Sequence, residues 1–266
     1  NIDNFIMEWI EIDLGSLDST NTNKAVLFRG TNDDNIIRNN IIHDKGGDPG
    51  GTGPFLIHVI GAGASGDTLS ILNNIIYSII ETSNDNAAAM LLDVWAGTMN
   101  VYNNTIYNVQ SAGGSKIAIG IRYATPASSV ANVKNNIVAK LVSAASNGER
   151  AYEVGQANGG NGTVNEAYNL SDDTSATAYD ASGTGSLINQ TLSDIDFVNT
   201  VAGSEDLHLD TDSVCREAGV DLGTTNEVNI DIDGVDRDAT GVTWDMGADQ
   251  ASVSDAGSPA FMMFLD

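Results

Sequence analysis

The stretch Ile71-Leu72-Asn73-Asn74-Ile75-Ile76-Tyr77 decides the fold, because variants of it recur along the chain. The other copies lie at residues 37–43, 101–107, 133–139 and, in degenerate form, 166–170. The second Asn of each copy falls at position 40, 74, 104, 136 or 169, so successive copies are 34, 30, 32 and 33 residues apart. Residues 2–6 are interpreted as a sixth copy. Such a period indicates a solenoid or an array of repeated units.

A second short apolar segment precedes each Asn pair, at residues 25–29, 55–60, 90–95, 117–123 and 151–154. Both kinds of segment are rich in β-branched residues and are bounded by Gly, Ser, Asp and Asn, which favours strands over helices. Leucine-rich repeats would show fixed Leu spacings, and propeller blades need about 40 residues. The sequence therefore predicts an all-β fold, a single-stranded right-handed parallel β-helix of about six coils of 30–36 residues.

The recurring Asn has a physical reason at a tight corner between two strands. Asn tolerates left-handed backbone angles, and its amide can bond the Asn one coil above and below. We therefore expect a structural ladder and not a set of ligand contacts. Its members would be Asn40, Asn74, Asn104, Asn136 and Asn169.

These Asn-Asn-Ile-Ile corners resemble those of the pectate-lyase-like superfamily of right-handed parallel β-helices. Four later segments, 204–209, 213–219, 231–237 and 244–249, are similar in order to the closing segment of bacterial secreted β-helix proteins known as choice-of-anchor Q. That family ends in Asp-Ile-Gly-Ala and an acidic pair, so Met246 and Gln250 depart from its pattern.

The resemblance implies one β-helix in three parts. Residues 1–190 are expected to form the coils, residues 191–250 a C-terminal closing module, and residues 251–266 a tail or linker. The tail ends in an apolar run that either caps the last coil or is given as a strand to a neighbouring chain.

The charge of the chain restricts its partners. Lys and Arg total 11 against 36 Asp and Glu, which gives a formal net charge of -25. Such a surface repels phosphate backbones and anionic lipid, so we expect no nucleic-acid partner. No apolar run reaches the ~18 residues that span a bilayer. Solubility, a saline habitat or calcium binding would each explain the acidic surface. Cys215 is the only cysteine, so no internal disulfide can form.

The acidic stretch before residue 250 has two interpretations. Asp231, Asp233, Asp236 and Asp245 form a candidate calcium site, because hard cations bind clustered carboxylates. The alternative is structural, with Arg237 pairing with one or two of these Asp residues and closing the last coil.

Strand alternation predicts one outward column of polar residues. With Val26, Phe28, Ile57, Val59, Leu92, Val94, Ile121, Tyr123 and Val154 facing inward, the residues facing outward would be Arg29, His58, Asp93, Arg122 and Glu153. Trp95 would share this face. The alternative to a functional column is a ladder of exposed ion pairs.

The resemblance to polysaccharide lyases of this fold class implies roles for this column. His58 and Arg122 would neutralise the uronate charge and remove the α-proton, and Asp93 would orient a group or bind calcium. Arg29, Trp95 and Glu153 would contact the glycan. The scarcity of basic residues argues against such an enzyme.

Two functions are therefore expected. The first is a secreted or surface-displayed structural, adhesin-like or self-assembling protein, associating through open β-helix ends or through its tail. The alternative is a polysaccharide lyase, a glycoside hydrolase or a glycan-binding module, acting on a polysaccharide at the outward face of one sheet. The sequence establishes no cofactor, and calcium is the one candidate.

Overall fold

The structure is a computed structural model that describes most of the chain. The described residues are 4–15, 24–29, 34–46, 53–60, 66–82, 85–93, 96–114, 116–124, 126–127, 129–145, 148–155, 162–172, 179–240 and 243–251.

Three parallel sheets form the body of the protein, with strands numbered in chain order. Sheet A contains β1 (Ile6–Glu8), β4 (Asn35–Arg38), β7 (Thr68–Leu72), β10 (Thr98–Tyr102), β13 (Val130–Lys134) and β16 (Thr163–Ala167). Sheet B contains β2 (Glu11–Asp13), β5 (Ile41–Lys45), β8 (Ile75–Glu81), β11 (Thr105–Ser111), β14 (Ile137–Ser143) and β17 (Leu170–Ser171). Sheet C contains β3 (Val26–Arg29), β6 (Phe55–Ile60), β9 (Ala87–Asp93), β12 (Ala118–Ala124) and β15 (Glu149–Gly155).

Each strand pairs with the strand three places later, so three strands complete one coil. The all-β parallel solenoid that the repeat predicts is confirmed. About four coils are full-length, fewer than the six predicted. The difference lies at the ends, because the strands of the first coil have only three or four residues and the last coil contributes only β16 and β17.

The two Asn residues of each corner have different tasks. The first, at positions 39, 73, 103 and 135, has a φ between 52° and 57°, so it makes the left-handed bend. The second forms the predicted ladder inside the corner. The Asn74 Oδ1 accepts hydrogen bonds from the backbone N–H of Asn40 at 3.1 Å and from its Nδ2 at 3.0 Å. The same pair of bonds recurs at each step down to Asn169. The ladder is confirmed. The left-handed backbone angle, however, belongs to the first Asn of each pair and not to the second Asn that forms the ladder.

The two residues that follow each Asn pair face opposite sides of sheet B. The second of them, represented by Ile42, Ile76 and Ile106, is fully buried inside the solenoid. The first, represented by Ile75 and Ile137, points outward yet is also buried, because it belongs to a second apolar core. That second core joins the outside of sheet B to the C-terminal module.

The C-terminal module contains the short elements that follow the solenoid. They are helix α1 (Leu192–Ile195), the antiparallel strands β18 (Phe197–Asn199) and β19 (Asp206–Leu209), and two 3-10 helices (Thr225–Glu227 and Arg237–Thr240). The residues it adds to the second core are Ile195, Phe197, Leu207, Leu209, Cys215, Ile232, Met246, Ala248 and Ala251. Burial raises the pKa of the Cys215 thiol to about 12, so this cysteine serves as a small apolar side chain.

The module lies along the side of the solenoid, which corrects the expectation that it closes the last coil. The first Asn of successive corners holds its backbone. The Nδ2 of Asn39 donates to the Asp231 carbonyl at 2.5 Å, and that of Asn73 donates to the Ile230 carbonyl at 2.7 Å. Asn135 both donates to and accepts from the backbone of Val220. The module therefore spans several coils along the corner between sheets A and B.

A separate segment, residues 179–190, covers the last coil. The N–H of Tyr152 donates to the Tyr179 carbonyl, and the N–H of Leu187 donates to the Asn169 carbonyl, both at 2.8 Å. The ladder ends there, since the backbone N–H of Asn169 donates to the Ser186 hydroxyl at 3.1 Å. Among the described residues, no helix has the length and apolar character that crossing a membrane requires.

Replacing Asn104 with Ala tests the ladder at its middle. The change leaves the buried N–H of Asn74 without its acceptor and removes one hydrogen bond each from the Asn74 Nδ2 and the Asn136 Oδ1. Each such group costs about 1–3 kcal/mol, so we expect a loss of about 3 kcal/mol in the free energy of unfolding. Urea denaturation measures it. Asn165→Ala, an exposed Asn on sheet A, is the control and should cost less than about 1 kcal/mol. Equal losses would contradict the structural role of the ladder.

Replacing Gly247 with Ala tests the docking of the module. A Cβ there would lie 2.6 Å from Ile137 Cδ1 and 2.8 Å from Thr105 Oγ1, at a φ of +90°. Gly223 is a matched control, because its φ is +75° and a Cβ there meets nothing within 4 Å. We expect limited proteolysis to release or cleave residues 191–251 faster in Gly247→Ala than in Gly223→Ala. Equal rates would show that the tight contact with sheet B does not hold the module.

Candidate functional site

The outward column predicted on sheet C is divided into two columns by the strand register. His58, Arg122 and Glu153 do share one column, whose other positions are Leu27 and Leu91. Arg29 and Asp93 instead align with Ile60, two residues further along the strands. A slip of two residues leaves every side chain on the same face, so alternation alone could not detect it. The column of five charged residues is therefore corrected to a group of three.

The inward set predicted for sheet C is largely in place. Val26, Ile57, Val59, Leu92, Ile121 and Tyr123 all belong to the solenoid core, and Phe28 packs against it. Val154 differs, since 48% of it is exposed at the last strand of the sheet. Val94 and Trp95 lie outside the described residues, as do the side chains of Arg29 and Asp93.

The three aligned residues do not form one catalytic group. Leu91 lies between His58 and Arg122, so their backbones are two coils, or about 10 Å, apart at the ~4.8 Å strand spacing. His58 is buried, and its ring meets that of Phe55 edge-on with centroids 5.4 Å apart. Glu153 has Arg122 at 3.9 Å and contacts Arg150 closely. At this end the sheet carries a cluster of partly buried ion pairs.

Asp231 and Asp245, two of the four predicted calcium ligands, are buried and hold the backbone. Asp231 accepts hydrogen bonds from the N–H groups of Asp233, Val235 and Gln250 at 2.7–3.0 Å. Asp245 accepts from the N–H groups of Glu217 at 2.6 Å and Ala251 at 2.8 Å. Burial raises the pKa of both carboxyls, although these bonds and the nearby Arg237 oppose the shift.

Arg237 is fully buried at the centre of the module. Its guanidinium donates to the carbonyls of Asp249 at 3.1 Å, Gly247 at 3.0 Å and Ala248 at 2.9 Å. Burial lowers its pKa, while the charges of Asp231, Asp245 and Asp249 oppose that shift. The residue thus stabilises the module at the corner of Asn73, which lies 3.4 Å from its Nη2, and not at the last coil.

The four predicted calcium ligands do not converge. Asp236 accepts from Asn229 Nδ2 at 2.9 Å, whereas Asp233 lies 3.1 Å from His208 Nε2. Within the described residues, the groups of three ligand atoms within 4.8 Å of one another are Asp13, His43 and Asp44, and His208, Asp233 and Asp249. Calcium prefers six to eight oxygen ligands, so neither group fits it well. Calcium binding stays a prediction.

Each of these two groups is a histidine held by carboxylates. The His43 ring lies 3.0 Å from Glu11 and 2.9 Å from Asp44, and it stacks on Tyr77 at 4.9 Å. Burial pulls the pKa of His43 down, but its hydrogen bonds to Asp44 and Glu11 outweigh this and raise it. In the second group, the hydrogen bond to Asp233 is the largest of the effects that raise the pKa of His208 to about 10. In both groups the carboxylates favour the protonated form of the imidazole.

Sequence reasoning missed a second column of polar residues, one Ser and three Asn, on the outward face of sheet A. Ser70, Asn100, Asn132 and Asn165 occupy equivalent positions in successive strands. The signal was present in the sequence, because each of these residues stands four positions before the second Asn of a corner.

No protein-family model, curated protein or solved structure matches this chain. The comparisons therefore support neither the pectate-lyase-like resemblance nor the choice-of-anchor Q resemblance, and the parallel solenoid is what the structure shows.

The His208 group predicts a dependence of stability on pH. A histidine whose pKa rises from 6.5 to about 10 on folding stabilises the protein fully below 6.5 and loses that contribution as the pH rises toward 10. We expect the stability difference between the parent protein and His208→Gln to be larger at pH 6 than at pH 9.5. Urea midpoints at the two pH values measure it. A difference that stays constant or grows with pH would contradict the protonated His208.

Proposed function

We propose that this chain is a secreted or surface-displayed β-helix with a structural or adhesin-like function and that it self-associates through the open end of its solenoid. The difference between the two ends carries the proposal. In the part of the chain that the structure describes, β1, β2 and β3 each have a strand partner on one side only. At the other end, residues 179–190 cover the last coil.

The open end is apolar at its rim. Its exposed large side chains are Ile6, Trp9, Ile10 and Leu27, with 43% to 52% of each exposed. Open strand edges template the addition of further strands, and clustered exposed apolar residues mark association surfaces. This edge is therefore the best candidate for a contact with another chain.

Two of the acidic residues of the first coil, Glu8 and Glu11, have basic partners, and a third, Asp13, is exposed. Glu8 pairs with Arg38 at 2.6 Å, and Glu11 pairs with His43 at 3.0 Å. Both basic partners belong to the second coil. Arg38 also pairs with Glu227 and His43 also pairs with Asp44, so the charges of Glu8 and Glu11 are offset only in part.

A second copy of the chain is the partner that we propose. The covered far end disfavours head-to-tail addition, which leaves a symmetric contact between two first coils. In such a contact the same surface patch serves on both subunits.

The family and the location belong to the same proposal. The buried Asn ladder and the three parallel sheets support membership of the pectate-lyase-like superfamily. The similarity of residues 204–249 to choice-of-anchor Q proteins supports a secreted or surface location, as does the strongly acidic composition.

The enzymatic alternative has less support from geometry, because His58 is buried and lies apart from Arg122. A screen of acidic and neutral polysaccharides with and without calcium tests it. Product formation that is lost in His58→Ala or Arg122→Ala would contradict a purely structural protein.

Self-association is measured by light scattering over a range of protein concentrations. We expect the parent protein to form dimers and Ile10→Lys to remain monomeric, because a charge at the rim must lose its hydration on contact. Val201→Lys, at an apolar side chain of the module that is even more exposed than Ile10, should still dimerise. A parent protein that is monomeric at every concentration, or an Ile10→Lys variant that dimerises like the parent, would contradict the proposal.

A further inference from the structure

The C-terminal module brings one histidine and three carboxylates together beside strand β19. His208 and Asp206 belong to that strand, Asp233 lies in a later turn, and Asp249 lies near the end of the described chain. The Nε2 of His208 is 3.1 Å from the Asp233 Oδ2, and its Nδ1 contacts the Asp206 Oδ1. One ligand atom each from His208, Asp233 and Asp249 lies within 4.8 Å of the other two. These three residues are the His208 group.

The separations within this group suit a small divalent ion. Nitrogen and oxygen ligands lie about 2.0–2.2 Å from a zinc ion, so two ligand atoms on one ion are about 3.0–3.5 Å apart. The 3.1 Å between the His208 Nε2 and the Asp233 Oδ2 falls in that range. The ligand atom of Asp249 lies within 4.8 Å of both. Since Asp233 is exposed, its side chain is free to adjust and close that gap.

Asp249 gives the group a buried carboxylate with one oxygen to spare. Only 5% of this residue is exposed. Its Oδ2 accepts the N–H of Leu209 at 2.9 Å, and in the described part of the chain its Oδ1 accepts no hydrogen bond. Burial raises the pKa of Asp249 to about 7, although the charge of His208 opposes the shift. A buried carboxylate is costly unless it is paired or coordinates a metal ion, so the remaining oxygen is a good ligand.

The surroundings hold the ligands in the way that metal sites require. A carboxylate on the second ring nitrogen of a histidine orients the ring and makes the first nitrogen a stronger ligand. Asp206 provides this contact at the Nδ1 of His208. The buried Asp231 accepts the N–H groups of Asp233 at 2.9 Å and of Gln250 at 3.0 Å. The segments that carry the two carboxylate ligands are therefore fixed to one side chain.

Negative charge exceeds positive charge around the group. Three carboxylates face the single imidazole of His208. Arg237 adds a positive charge beside Asp249, whose carbonyl accepts its N–H at 3.1 Å, but it also faces the buried carboxylates of Asp231 and Asp245. A proton on His208 thus offsets only part of the negative charge, and a divalent ion at the same place offsets more of it.

We propose that the His208 group binds a divalent first-row transition-metal ion such as Zn²⁺ through the His208 Nε2 and one oxygen each of Asp233 and Asp249. An imidazole among carboxylates favours such ions, whereas calcium and magnesium take oxygen ligands. The ion replaces the proton on Nε2, which is released to solvent. Water completes the coordination, because 56% of the Asp233 side chain is exposed and leaves the site open.

The ion connects three segments of the module that are far apart in the sequence. They are strand β19, the turn that contains Asp233, and the segment that contains Asp249. An ion that binds the folded chain and not the unfolded one stabilises the fold by mass action. All three ligands belong to one chain, so the site goes beyond the proposed structural function and does not depend on self-association.

Isothermal titration calorimetry of the metal-free protein tests the site, with Zn²⁺ as the probe and Ca²⁺ as the comparison. We expect one Zn²⁺ per chain, bound about tenfold or more tighter than Ca²⁺, and a thermal unfolding midpoint that rises when Zn²⁺ is added. His208→Gln and Asp233→Asn should each lose about tenfold or more in Zn²⁺ affinity. Neither residue is buried, and circular dichroism checks that both variants are folded.

Two variants that remove an exposed carboxylate elsewhere are the controls. Asp210→Asn alters the same segment of the module, and Asp13→Asn alters the group around His43. Both should bind Zn²⁺ like the parent protein. The proposal would be overturned by the absence of saturable Zn²⁺ binding, by Ca²⁺ binding as tight as that of Zn²⁺, or by a His208→Gln variant that binds like the parent. Binding that is lost in Asp13→Asn would assign the ion to the His43 group and would overturn it as well.

Discussion

The hydrogen bonds between the second Asn residues of successive corners are the constraint on which the structure depends. A parallel coil brings a backbone N–H into a dry corner, where an unmade hydrogen bond costs more than a made one contributes. The Asn104 amide satisfies the N–H of Asn74 and reaches the carbonyls of Ile71 and Tyr102. One side chain therefore provides an acceptor for a backbone N–H of the preceding coil and donors for carbonyls of that coil and of its own corner.

This constraint also determines which way the neighbouring residues of each corner face. Once the second Asn is fixed inside the corner, the first Asn must point outward, and there it holds the backbone of the C-terminal module. The two residues after the Asn pair also face opposite sides of the sheet. Ile76 faces the solenoid core, and Ile75 faces the core shared with the module. A four-residue unit thus specifies two hydrophobic cores and the contact between them.

The sequence predicted those features that repeat and missed those that depend on register or on distant contacts. The fold class and the ladder followed from the spacing of Asn-Asn-aliphatic units. The difference between Asn73 and Asn74 did not, because one residue type performs both tasks. Asp93 was placed beside His58 because a two-residue slip preserves the face of every side chain. The docking of Gly247 on Ile137 joins residues far apart in the chain and has no local signal.

Residue-resolved native-state hydrogen exchange tests the central claim most directly. The backbone N–H groups of Asn40, Asn74, Asn104 and Asn136 each donate to a buried amide oxygen one coil away. The account predicts that these corner amides exchange as slowly as the central strands of sheet B, since both open only when coils separate. Exchange at the rates of ordinary exposed turns would contradict it.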